Sequence, residues 1–397
     1  MAKLTLNDID VNGKKVVMRV DFNVPIKDGK IGDDARIQKA LPSIRHVIEN
    51  NGLLILLSHL GRPKGTPAEK FSLRPVADYL ATLVDTQVFF GEDCIGPEAE
   101  SAISKADFGQ IVLLENVRFH AGETENDPAF SQELAKLGEV FVNDAFGSSH
   151  RAHSSVAGIT DYLQPAAAGF LLGREIDYLN GSVQDPKRPF VAIIGGAKVS
   201  DKIGVIKNLL NKVDSIIIGG GMTYTFFKAM NLPIGNSLIE EDKVSLAAEL
   251  METAKRNNVD ILLPMDSLVA RKFDNDAERK VVGQDGIEDG WMALDIGPKS
   301  SQLFGDEIKK AKTVIWNGPM GVFEMDNFAD GTFAIAGAMS EATANGAITI
   351  IGGGDSASAI KKAGLEDKVS HVSTGGGASL EYLEGKELPG IQALTGK

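Results

Sequence analysis

The chain has a single cysteine, Cys94, so it can form no intrachain disulfide and no multi-cysteine zinc site. It has no apolar run long enough to span a membrane. Its opening stretch, MAKLTLNDIDVNGKK, lacks the apolar core of a secretory signal. The expected location is the cytoplasm, with no membrane partner. The sequon Asn180-Gly181-Ser182 carries no weight without such a signal. Positive charge is in deficit: 41 Lys and Arg stand against 54 Asp and Glu, a net of −13. Bulk charge of that sign repels nucleic acid and anionic lipid, so nucleic acid is not an expected partner either. If the ligand is itself an anion, the few cations must be gathered locally. No short repeat is visible, which argues against a solenoid. No G-x-x-x-x-G-K-[ST] occurs, which excludes a P-loop enzyme. With 43% hydrophobic and 24% charged residues, disorder, collagen and coiled coil are excluded as the main content.

What is present is an alternation of strand and helix from end to end. Lys15–Phe22 reads as a strand, and Asp34–Asn50 carries apolar residues at helical spacing. Leu53–Leu57, Ile111–Leu114, Val140–Val142, Phe190–Ile194, Ile216–Ile218, Ile261–Leu263, Val314–Trp316 and Ile348–Ile351 are short continuous apolar runs. Such runs mark strands buried on both faces. Helical segments such as Glu240–Asn257 and Phe328–Ala344 lie between them. The expected fold is α/β, with parallel, doubly wound sheets. A length of 397 residues suggests two or three domains at a prior of roughly 150 residues each. Composition divides the chain: 16 of the 43 Gly precede residue 186 and 27 follow. Gly169–Val183 reads as an amphipathic helix, and the segment QDPKRP after it breaks the chain. Two domains joined by that helix, with a cleft between them as the ligand site, are the expectation.

In a parallel sheet, ligands sit at the carboxyl ends of the strands. In the first half those ends carry Asp21 and Asn23, then His59 and Arg62, then Arg118, then Arg151. Arg36 falls at the start of a helix, where the dipole favours anions rather than cations. Any one of these arginines could be a solvated charge, and His59 a structural histidine. Several guanidiniums converging on one edge suit a small, multiply charged anion bearing phosphate or carboxylate. Asp21 and Asn23 could then bind its hydroxyls, or be turn residues.

In the second half five strand ends run into glycine clusters, at 195–196, 219–221, 318–321, 352–354 and 375–377. Glycine permits close approach of a ligand to backbone, and the following helix N-termini attract phosphate. One such loop is turn chemistry; five argue for a nucleotide. Lys198 and Lys202, one helical turn apart, are expected on one face toward the phosphates. Asp355 would repel a bare pyrophosphate and makes sense with Mg2+ between them. Gly352-x-Gly354-x-x-Ala357 also fits a dinucleotide fingerprint, the basis of a rival nicotinamide-dependent oxidoreductase reading. That fingerprint comes late for a first βα unit. A non-enzymatic anion-binding scaffold would explain the arginines but not Lys198, Lys202 and Asp355 together.

The strings DFNVP (21–25), SHLGRP (58–63), LENVRF (114–119), HRAHSS (150–155), GGAKVSDKI (195–203), DIGPKS (295–300), WNGPMGVFE (316–324), GGGDS (352–356) and STGGGASLEYLEG (373–385) resemble the phosphoglycerate kinase family, in order across nearly the whole chain. The resemblance implies two Rossmann-like domains joined by a connecting helix. An N-terminal domain, 1–171, binds 3-phosphoglycerate. A connecting helix and hinge spans 172–186. A C-terminal domain, 187–380, binds the nucleotide, and a tail, 381–397, packs back on the first. It implies reversible phosphoryl transfer between 1,3-bisphosphoglycerate with ADP and 3-phosphoglycerate with ATP, by a monomer using Mg2+, after hinge closure. Asp21, Asn23, Arg36, His59, Arg62, Arg118 and Arg151 match the triose-binding positions. Gly196, Ala197, Lys198, Lys202, Asn317, Pro319, Glu324, Gly353, Gly354, Asp355 and Ser356 match the nucleotide site, with Asp355 for the metal. Arg36 and Lys198 are the expected catalytic cations. Two departures are visible: Ser356 stands where Thr is usual, and Gly147-Ser148-Ser149 is not the commonest form.

Overall fold

The structure, a computed structural model, describes residues 2–183 and 185–397. The chain separates into two compact units. One runs to Asp177 and takes in Glu387–Lys397; the other is Tyr178–Lys386.

The first unit is built on a six-stranded sheet in the order Val88–Gly91, Ile111–Leu114, Leu53–Leu57, Lys15–Arg19, Val140–Asn143 and Ala166–Ala168. Every pairing in it is parallel. Leu53–Leu57 and Ile111–Leu114 are buried along their full length, as two-sided packing under helices requires. The helix Ala35–Glu49 turns Ile37, Leu41, Ile44 and Val47 onto Val16, Met18, Leu54 and Leu56, and this cluster is the core. Strand Lys15–Arg19 has Leu53–Leu57 on one side and Val140–Asn143 on the other. The connections therefore diverge at its carboxyl end, which opens a crevice for a ligand.

The second unit repeats the logic. Its parallel sheet runs Asp260–Leu262, Ser215–Ile218, Phe190–Ile194, Thr313–Asn317, Ile348–Gly352 and His371–Val372. The crevice falls beyond Phe190–Ile194, whose neighbours lead off in opposite directions. Trp316 is fully buried among Val191, Phe304, Ile335 and Met339. Its indole N–H donates to the Gly318 carbonyl at 2.7 Å, which ties the core to the loop that follows the strand.

The structure differs from expectation at several points. The first strand ends at Arg19, not Phe22, and the strand before the glycine cluster at 375–377 is only His371–Val372. A three-stranded antiparallel sheet, Arg279–Gly283, Asp266–Ala270 and Met292–Ile296, accompanies the parallel ones. The connecting helix is Phe170–Val183, and the division between units falls inside it, at Asp177. Residues 381–386, expected in the returning tail, belong to the second unit; the return begins at Glu387. The reason is that helix Gly376–Leu383 packs in the second unit, where the Asn208 amide donates to the Leu383 carbonyl at 2.6 Å.

Candidate functional site

At the carboxyl edge of the first sheet, the residues after each strand are tied to one another. Arg36, second in its helix, donates from NH1 to Asp21 Oδ1 at 3.0 Å and to the Asn23 carbonyl at 3.1 Å. Asn23 Oδ1 accepts from the Gly61 N–H at 2.8 Å, and Arg118 NH1 donates to the Gly61 carbonyl at 2.8 Å. Asp21, Asn23, Arg36 and Arg118 are thus held together through one loop. Arg62 is exposed and lies next to Gly61 in that loop. Arg151 is exposed, with its Nε on the His150 ring at 3.1 Å.

Two groups here escaped the sequence reading. Arg19 is fully buried and donates from Nε to Ser155 Oγ at 2.8 Å, while NH2 meets His59 Nδ1 at 3.0 Å. Glu123, also fully buried, receives the Ser155 N–H at 2.9 Å and the Ser155 hydroxyl at 2.7 Å. The available signal was an arginine inside the apolar run VVMRV, since a charge in a buried strand demands a partner.

Burial and positive charge dominate the electrostatics, with Glu123 and Asp21 acting the other way on Arg118. Burial, then the positive charge of Arg19, pushes Arg118 down to about 10. Burial, then Arg118 and Arg19, holds His153 near 3. His59 is pushed well below the usual histidine value by burial and by Arg19, Arg118 and Arg36. Arg118 Nε is buried with no hydrogen-bond partner. Crowded, desolvated cations with an unpartnered donor fit a multiply charged anion, which would relieve both strains.

In the second unit the glycine loops pack backbone on backbone. Gly318 has a positive φ, and a Cβ there would stand 2.1 Å from the Gly195 carbonyl. Gly354 is different. Its φ is negative and a Cβ would meet nothing within 4 Å. Neither turn nor packing asks for glycine at this first residue of helix Gly354–Lys362. An open, bare backbone at a nine-residue helix start suits a phosphate. Gly353 is the cap residue of this helix, and Asp355 is exposed in its first turn.

Asn317, buried, joins the loops: it accepts from the Lys202 ammonium and donates to the Gly352 carbonyl at 2.9 Å. The Ser356 hydroxyl accepts from the Gly318 N–H at 2.6 Å. Lys198 and Lys202 do not share a helical face, because the helix begins only at Ile203. Lys198 is exposed in the preceding loop. Lys202 is half-buried, which lowers its pKa, while Asp201 and then Asp355 act to raise it.

Beside these loops a cavity of about 690 Å³ is lined by Gly196, Ala197, Pro319, Glu324 and Asp355, with Leu238, Met292, Leu294 and Val322 as apolar walls. Apolar walls together with carboxylates suit a base and a ribose. Asp295, held near pH 7 by burial, also borders it. A larger cavity of about 920 Å³, between helices Pro298–Lys310 and Asp330–Ala344, holds none of the expected residues.

Among the described residues, the only tight His/Cys/Asp/Glu group is Asp93, Cys94 and His120, in the first unit. Its Asp93 and His120 already bond each other at 2.7 Å. That is closer than the ~3.3 Å at which two ligands of one tetrahedral ion stand. Asp355 offers a lone carboxylate, which fits Mg2+: that ion takes one or two carboxylates and the rest from phosphates and water.

A family model described as phosphoglycerate kinase matches residues 6–386. A curated phosphoglycerate kinase from Chloroherpeton thalassium is 57% identical over 395 residues, covering 100% of both chains. One from Chlorobaculum tepidum is 58% identical over 396 residues, with the same coverage. Among solved structures, phosphoglycerate kinase from Coxiella burnetii superposes with a TM-score of 0.90 at 40% identity, covering 98% of each chain. That from Pyrococcus horikoshii gives 0.83 at 31%, again over 98% of each.

Proposed function

Because the chain belongs to the phosphoglycerate kinase family, we propose that its two units divide the two substrates of that family's reaction. The chain is a phosphotransferase with a carboxyl acceptor. It moves a phosphoryl group reversibly between 1,3-bisphosphoglycerate with ADP and 3-phosphoglycerate with ATP, a glycolytic step. In our reading the first unit binds the triose through Asp21, Asn23, Arg36, His59, Arg62, Arg118 and Arg151. The observation that carries this is Arg118, depressed by burial and by its neighbour Arg19 and left with a buried Nε that has no hydrogen-bond partner.

The second unit binds ATP or ADP. Gly196, Ala197, Pro319 and Glu324 border the base and ribose, and Gly353, Gly354, Lys198 and Lys202 face the phosphates. Asn317 and Ser356 hold the phosphate loops in register. Mg2+, when bound, neutralises phosphate charge, and Asp355 is the residue that would hold it. No general base is required, because the acceptor carboxylate and the ADP phosphate are both ionised at pH 7. What the chain must supply is positive charge on the equatorial oxygens, from Arg36 on one side and Lys198 on the other. Asp355→Ala is expected to weaken MgADP affinity and abolish most of its dependence on Mg2+, measured by isothermal titration with and without the ion. Unchanged metal dependence would remove Asp355 from the metal site.

Transfer needs the reacting atoms within about 3–3.5 Å, so substrates on separate units require closure. Helix Phe170–Val183, which passes from one unit to the other, is the hinge in this reading. Small-angle scattering should show the radius of gyration falling most when 3-phosphoglycerate and a nucleotide analogue are both bound. An unchanged radius with both demonstrably bound would rule closure out. No helix among the described residues is long and apolar enough to cross a membrane. A cytoplasmic monomer completes the proposal.

A further inference from the structure

His59 is 5% exposed, and its two ring nitrogens face different surroundings. Nδ1 lies 3.0 Å from Arg19 NH2. Nε2 has no hydrogen-bond partner among the described residues. A guanidinium donates and never accepts. Nδ1 must therefore be the acceptor, which leaves the proton of the neutral ring on Nε2. We propose that Arg19 is a positioning residue of the triose site: it fixes His59 as the Nε2–H tautomer, a permanent neutral donor aimed at the anionic substrate. This rests on the reading of His59 as a triose-binding residue.

Arg19 can hold this post because the rest of its guanidinium is spoken for. NH1 donates to the Val20 carbonyl, and Nε to Ser155 Oγ at 2.8 Å. Ser155 passes the contact to Glu123 through its hydroxyl and its N–H, at 2.7 and 2.9 Å. Glu123 supplies the counter-charge without touching the imidazole. The guanidinium is locked on three sides, so NH2 points one way only.

The tautomer decides whether His59 attracts or repels the ligand. With the proton on Nε2, the ring offers an N–H to a carboxylate or phosphate oxygen. With the proton on Nδ1, a lone pair would meet those oxygens instead, and Arg19 NH2 would lose its acceptor. Protonation would also give Nε2–H, but burial opposes it first, and after burial the cations around the ring. Arg19 comes from the first strand, Arg118 from the turn Val117–Phe119 and Arg36 from helix Ala35–Glu49. His153, held near 3, is neutral in this range, and the anions Glu123 and Asp21 act on Arg19 and Arg118. The donor thus stays neutral from about pH 6 to pH 8, a range over which an ordinary histidine changes charge.

The test reads the ring directly. In 15N-histidine-labelled, ligand-free protein, the His59 signals are assigned by their loss in His59→Gln. Long-range 1H–15N spectra should show Nδ1 unprotonated and Nε2 protonated, unchanged from pH 5.5 to 8.5. A proton on Nδ1, or titration near 6.5, would overturn the proposal. Adding 3-phosphoglycerate to the same sample tests the triose reading separately, since His59 signals that ignore the substrate would remove His59 from the site while leaving the tautomer assigned. A second arm uses Arg19→Met/Glu123→Gln, which removes both buried charges together. Nδ1 then has no donor to hold it as acceptor, so the spectra should show a mixture of the two neutral tautomers, and KM for 3-phosphoglycerate should rise about tenfold with kcat moving less. A variant that keeps the wild-type tautomer and the wild-type KM would count against Arg19 as decisively as the wrong tautomer.

Discussion

Arg36→Ala is expected to lower kcat by about 10²–10³-fold at saturating substrates, the range for losing one preorganised charge at a reacting centre. The position argues for it. A cation in the first turn of helix Ala35–Glu49 works against the helix dipole, so local stability does not explain the residue. Its guanidinium instead reaches back to Asp21 and to the Asn23 carbonyl, the loop at the sheet's crevice. The side chain is 39% exposed, and its removal strands no buried group, so the melting temperature should stay within a few degrees of wild type. A variant with near-normal kcat would reduce Arg36 to a surface charge that happens to salt-bridge Asp21.

The largest effect on stability is expected from Glu123→Ala. It leaves the fully buried Arg19 guanidinium with Asp21 as its remaining counter-charge, and it also orphans the Ser155 N–H and hydroxyl. Breaking a buried pair by deleting one partner costs about 3–5 kcal/mol. A chain of two units does not unfold in one step, so a global melt would blur the result. Hydrogen exchange at the amides of Lys15–Arg19 and Leu53–Leu57 reads the first unit alone. Those amides should lose protection by a factor of about 10²–10³, while Phe190–Ile194 is unchanged. Equal protection in variant and wild type would mean that solvent or neighbouring groups carry the Arg19 charge, and that Glu123 is dispensable.

The parallel sheets were legible because strands such as Leu53–Leu57 and Phe190–Ile194 are apolar on both faces, a pattern few other elements produce. The antiparallel sheet was not. Arg279–Gly283 alternates exposed and half-buried residues, and Asp266–Ala270 begins on a buried aspartate, so neither shows a continuous run. Ala166–Ala168 is a strand made of a residue with little strand preference; only its place beside Val140–Asn143 makes it one. At the site, motif strings exposed the loops but not how they are braced. Lys202 was assigned to a helical face because spacing suggests a helix, yet it folds back onto Asn317, a contact 115 residues away that no local pattern encodes. Glu123 and Ser155 were invisible for the same reason. Their importance comes from Arg19, more than a hundred residues earlier in the chain.

The segment Glu387–Lys397 belongs to the unit that is synthesised first, and its bonds say what that unit lacks until the segment arrives. Thr395 pairs with Leu4 and with Ala166, each at 2.9 Å, lying along the edge strand of the first sheet. The Gly390 N–H donates to the Ser149 carbonyl at 2.9 Å, and its own carbonyl receives Asn143 Nδ2 at 3.0 Å. Ser149 immediately precedes His150 and Arg151. On the ribosome, the whole of Tyr178–Lys386 is made before these contacts can form. The half of the molecule that leaves the ribosome first is therefore the half finished last, and the loop bearing Arg151 waits longest for its brace. Nascent chains stalled just before Glu387 would carry a complete second sheet beside a first sheet with a bare edge, the stage at which a chaperone has most to hold.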